Sequence, residues 1–196
     1  MQQGHLSNLI VRLWPIFLLA NIFGAEMSAS PKSFENLAVK NEKGEVVPLT
    51  SLRKDQEVLV LVFAASTCPV TSLYWERIKG IWYNYRDRKV AIYIIGGNSD
   101  DSPVLFRSSL KDQNLELPLL WDEGHMLAKT FGIEFTPEVV LLGKNGEIFY
   151  SGRIDDSWRD ETHIQQHYLD HAITIALEGK KTDDHLEDLF TGSHLR

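Results

Sequence analysis

Apolar side chains fall along this chain in two rhythms. From Val58 to Phe63 (VLVLVF) and from Val90 to Ile95 (VAIYII) they run unbroken and are rich in β-branched residues. Such runs predict strands covered on both faces, as in a parallel sheet under helices. Between them, Tyr74, Trp75, Ile78, Ile81, Trp82 and Tyr85 recur at three- and four-residue spacing. That is one apolar stripe of a helix facing a core. Pro69 suits the first turn of this helix, where its missing N–H costs nothing. Cys68 therefore stands at or just before a helix N-terminus.

The same patterning predicts the remaining elements. Phe34 to Lys40 and Glu45 to Leu49 are the arms of a hairpin around the turn residues Asn41-Glu42-Lys43-Gly44. Ser102 to Gln113 is a helix with Ser102 as its cap and Pro103 at its first position. Leu117 to Trp121 is a short strand, and Glu123 to Phe131 is a helix closed by Gly132. Val139 to Leu142 and Ile148 to Tyr150 flank Gly143-Lys144-Asn145-Gly146, a second hairpin. Asp160 to Glu178 is the last helix, stopped by Gly179. The order of elements implies an α/β domain with a mixed central sheet flanked by helices.

Length and composition narrow the picture. The chain has 196 residues, about one domain. Lys and Arg number 20 against 27 Asp and Glu, a net charge of −7. An acidic chain without basic clusters is poorly suited to gripping a phosphate backbone, so no nucleic-acid partner is expected. The apolar run Leu13 to Phe23 follows Arg12 and precedes small residues, a pattern that reads as a signal peptide over residues 1–25. It is too short to span a bilayer, so no stable membrane anchor is expected after cleavage. Residues 33–180 form the domain, and 181–196 a polar tail.

Cys68 is the only cysteine. An internal disulfide and a Cys-rich zinc site are thereby excluded. The thiolate, not the thiol, is the nucleophile, and a helix N-terminus stabilises an anion placed there. Thr71, one turn on, has a hydroxyl that can hydrogen-bond such a thiolate.

The stretch Phe63-Ala-Ala-Ser-Thr-Cys68-Pro-Val-Thr71 resembles the strand-loop-helix redox motif of the thioredoxin-like superfamily. Thr136-Pro137 ahead of Glu138-Val-Val-Leu-Leu142 resembles that superfamily's cis-proline loop. The order of elements and the N-terminal hairpin resemble most its redoxin branch, the alkyl hydroperoxide reductase and thiol-specific antioxidant-like proteins. The resemblance implies a thioredoxin-like fold, no cofactor, and catalysis at Cys68 with Thr67 and Thr71 beside it. It implies that Thr136, Pro137 and Arg153 bind substrate. A dithiol member would carry a second cysteine where Thr71 stands. A peroxidase of this branch would carry proline and threonine where Leu61 and Ala65 stand.

The function expected is thus an exported oxidoreductase acting through a single cysteine. It would form mixed disulfides with a partner protein or a low-molecular-weight thiol. The alternatives are a non-catalytic thioredoxin-like binding module, docking a protein or copper or zinc, and a peroxidase that borrows its resolving thiol. His163, His167 and His171 recur every four residues of the last expected helix, the basis of a weak metal-site alternative. Arg153, Asp155 and Asp156 follow the second hairpin. There, side chains alternate faces, and a surface ion pair is as good an expectation as a supporting role for Arg153 at the thiolate or substrate.

Overall fold

The computed structural model describes Met1 and residues 36–180. The signal-peptide reading of residues 1–25 and the tail 181–196 lie outside the described residues. Strands β1 (Ala38–Asn41), β2 (Val46–Pro48), β3 (Val58–Phe63), β4 (Val90–Gly96), β5 (Leu119–Trp121), β6 (Glu138–Leu142) and β7 (Ile148–Gly152) form one sheet, ordered β2-β1-β5-β4-β3-β6-β7. β3 pairs parallel with β4, and β4 with β5, while the remaining pairs are antiparallel. The expected mixed sheet and both hairpins are present.

Among the described residues five α-helices pack on the sheet: α1 (Leu49–Leu52), α2 (Pro69–Tyr85), α3 (Pro103–Asp112), α4 (Met126–Phe131) and α5 (Tyr168–Leu177). All six residues of β3 are buried, as its unbroken apolar run requires. Val58, Val60 and Val62 face Tyr74, Trp75 and Ile78 of α2, with α3 and α5 on the same layer. Leu59, Leu61 and Phe63 face Leu49 and Leu52 of α1 and Leu127 and Phe131 of α4. Side-chain alternation along one strand thus feeds two cores.

Three expected elements differ. The segment Glu123 to Phe131 is a 3-10 turn, Glu123–His125, followed by α4, because Gly124 and His125 both take positive φ (73° and 59°). Leu49 to Leu52 closes a helical turn against the lower core, where the sequence showed only a hairpin end.

The expected helix over 160–178 starts only at Tyr168. Ahead of it, Asp160 caps a 3-10 turn, Glu161–His163, and Ile164 is extended (ψ 122°). Asp156 holds this segment off helical geometry: its carboxylate accepts the Gln165 N–H, and its own N–H donates to the Gln166 carbonyl. His163, His167 and His171 therefore occupy a turn, a helix cap and a helix, and share no face. His163 instead pairs with Asp160 (Nδ1 to Oδ2, 2.8 Å). Among the described residues no three His, Cys, Asp or Glu side chains are grouped to hold a metal ion. No helix of the described residues is long and apolar enough to cross a membrane.

Candidate active site

Cys68 leaves β3 through the loop Ala64 to Thr67 and caps α2, in extended geometry (φ −83°, ψ 118°). Its carbonyl accepts the Ser72 N–H at 3.2 Å, and its own N–H donates to the Ala65 carbonyl at 3.2 Å. The loop is tied from outside by Asp101. One carboxylate oxygen of Asp101 accepts the Ser66 N–H at 2.7 Å; the other accepts the Ser102 N–H at 2.9 Å, at the cap of α3. Nothing in the sequence near Cys68 signals this tie.

The thiol is half-buried and donates to the Thr136 carbonyl at 3.3 Å. The Thr136–Pro137 peptide is cis, as the resemblance implied. Burial is the largest single influence on the thiol and raises its pKa. The Thr71 N–H, the Thr136 side chain, the Thr71 hydroxyl and the Val70 N–H together outweigh burial. The net shift is downward from the ordinary thiol range, toward a populated thiolate.

Thr71 is 1% exposed, and its hydroxyl has no hydrogen-bond partner among the described residues. A buried hydroxyl left unpaired is costly. The same hydroxyl favours the thiolate of Cys68. It is therefore a donor that waits for the deprotonated sulfur, a partner that a neutral thiol replaces poorly. Thr67, in contrast, is exposed and makes no hydrogen bond within the described residues.

A cleft of about 220 Å³ adjoins the thiol through Thr136. Gly96, the last residue of β4, and Gly97 after it line the cleft. A Cβ on Gly96 would meet the Trp121 and Phe106 rings at 2.7–2.9 Å, and one on Gly97 the Asp122 carbonyl at 2.8 Å. These two glycines serve close packing of β4 against β5 and α3. Phe135 stands 64% exposed at the rim. Glu138, just past Pro137, accepts the Glu134 and Phe135 N–H groups; burial pushes its carboxyl up against the pull of those bonds.

Arg153 follows β7. It forms no hydrogen bond or ion pair with Cys68 or Thr136 among the described residues. Its carbonyl takes the Tyr150 hydroxyl, and its charge is felt at Tyr74. Asp155, expected at the surface, is 2% exposed. Arg77 of α2 donates to both of its oxygens, at 3.0 and 2.8 Å, and Tyr74 to one at 3.0 Å. This buried pair clamps the middle of α2 to the segment after β7. The spacing of 78 residues hid it from sequence reading.

The AhpC/TSA family model matches residues 31–151. The chain belongs to the AhpC/TSA family. Its fold is that of the thioredoxin-like thiol–disulfide oxidoreductases. An uncharacterised conserved protein from Geobacillus kaustophilus superimposes with a TM-score of 0.66 at 24% identity, over 76% of this chain and 82% of that one. Mycobacterium tuberculosis DsbF, in mixed oxidised and reduced forms, gives 0.59 at 16% identity, over 75% and 99%. A secreted disulfide oxidoreductase of the same organism, homologous to Escherichia coli DsbE, gives 0.55 at 14% identity, over 73% and 98%. No curated protein matches the chain. As an AhpC/TSA-family protein, the chain is of oxidoreductase type.

Proposed function

We propose that this AhpC/TSA-family protein is an exported thiol–disulfide exchange enzyme that works through one nucleophile, the Cys68 thiolate. The observation that carries the reading is the setting of the sulfur: lone, half-buried, at the cap of α2, faced by Thr136 and by the unpartnered Thr71 hydroxyl. The thiolate attacks one sulfur of an external disulfide. A Cys68–S–S–R bond forms, and the other half leaves as a thiolate that takes up a proton. With Thr71 where a resolving cysteine would stand, no internal disulfide follows. A second external thiolate attacks the mixed disulfide and releases Cys68. Thr136 and Pro137 position the partner. Thr71 and the N–H groups of Val70 and Thr71 stabilise the thiolate. The Leu13–Phe23 run and the secreted M. tuberculosis protein of this fold support export.

The test is intact-mass analysis after incubation with 2-hydroxyethyl disulfide. The parent protein gains one 2-mercaptoethanol adduct, lost on adding a second thiol. Cys68→Ser gains none while keeping its circular dichroism. A parent protein that reacts no faster than an unstructured cysteine peptide would overturn the proposal.

A further inference from the structure

We propose that the cleft beside Cys68 selects disulfides carrying a cationic group next to the reactive sulfur and disfavours anionic ones. This rests on the exchange reading above and names the substrate class for that site. The cleft shares Thr136 with the thiol, so a group attached to a sulfur bonded to Cys68 lies at its mouth. Its walls include Phe63, Ile95 and Phe135, and its charged lining is Asp122 and Glu134. No lysine or arginine lines it; the one basic side chain is His125.

Asp122 is 2% exposed and its two oxygens accept the Leu127 and Ala128 N–H groups at 2.9 Å each, so the start of α4 answers its charge without a salt bridge. Among the described residues, Glu134, Glu138 and Asp101 form no salt bridge either. Glu134 is exposed, and its carboxylate accepts no hydrogen bond among the described residues. A short alkyl stem can lie on Phe135 and Phe63 while its ammonium meets Glu134, the division of labour an amphipathic cation favours. A carboxylate at the same place meets like charge.

The step is Cys68–S⁻ plus R–S–S–R giving Cys68–S–S–R and R–S⁻. One S–S bond breaks, one forms, and no other oxidant is needed. The test compares cystamine, 2-hydroxyethyl disulfide and 3,3′-dithiodipropionate, in low salt at pH 8. The rate of adduct formation on the full chain is divided by the rate of the same disulfide with 2-mercaptoethanol. One carboxylate about 7 Å away in water-like surroundings changes a unit charge's encounter about threefold, so exchanging cation for anion is worth about sevenfold per carboxylate. With Glu134 the exposed carboxylate on the walls, the normalised ratio of cystamine to dithiodipropionate is expected at about seven, shrinking in 0.5 M salt. Glu134→Gln is expected to cut it severalfold. A ratio near one or below, or one that salt leaves untouched, overturns the selectivity and leaves the exchange reading standing. Failure of Cys68 to react with any of the three overturns both.

Discussion

Thr71→Val keeps the branched shape of the side chain and deletes one hydroxyl. If that hydroxyl serves the thiolate, two properties move in a coupled way. A hydrogen bond to a charged group contributes about 1.5–3 kcal/mol, and partial exposure of the sulfur brings it toward the lower end. About 1.4 kcal/mol is one pH unit, so the Cys68 titration midpoint should rise by about one unit. The assay is alkylation by uncharged iodoacetamide from pH 5 to 10. Well below the midpoint the thiolate fraction falls about tenfold. A more basic thiolate is a better nucleophile, which leaves a net rate loss of about threefold. Stability moves the other way at low pH. There the sulfur is a thiol, the hydroxyl is an unpaired buried group, and Thr71→Val should unfold at the same or a higher denaturant concentration than the parent. The parent's depressed thiol pKa contributes stability that is present above the unfolded thiol's value of about 8.5. It is lost as pH falls through the folded value, so the parent gains on the variant as pH rises. An unmoved alkylation midpoint refutes the role given to Thr71. A variant less stable than the parent at pH 6 would mean that the hydroxyl has another partner.

Two further expectations concern the scaffold. Asp155→Ala leaves Arg77, whose side chain is only 9% exposed, with the Ser157 carbonyl and Glu161 alone, and should cost about 1.5–3 kcal/mol in urea unfolding; a loss under about 0.5 kcal/mol would mean that those partners compensate fully. Gly96→Ala drives a methyl into the Trp121 and Phe106 rings and should cost about 1–3 kcal/mol with a shifted tryptophan emission, while an unchanged spectrum and midpoint would show that the rings yield freely.

The parts of the molecule that sequence revealed are those whose cause is local. β3 and α2 follow from an unbroken apolar run and a three-four spacing, and the cap at Cys68 from Pro69 next to it. Ser102 caps α3 by accepting the Leu105 N–H, as its place before Pro103 implied. What stayed hidden is held by distant partners. The helix over 160–178 fails at its start because Asp156 engages Gln165 and Gln166. Asp155 is buried because Arg77 meets it from another element. The αL geometry of His125 has no signature in its side chain. At the site, Cys68, Thr71, Thr136 and Pro137 were legible because each sits in a short motif. The Asp101 tie and the Glu134 wall were not, since each is joined to the thiol only by the fold. Arg153 lies two residues from Asp155, yet the chain carries it toward Tyr150 and Tyr74.

The Asp101 and Thr136 contacts have a consequence for timing. The two groups that hold the thiol and its loop come from residues 35 and 68 positions away, and the two supporting N–H groups exist in that geometry only once α2 has formed. A nascent chain therefore carries a cysteine of ordinary reactivity. Activation arrives with those tertiary contacts, so the polypeptide reacts poorly with stray disulfides while it is being made and becomes a competent partner for them only once folded.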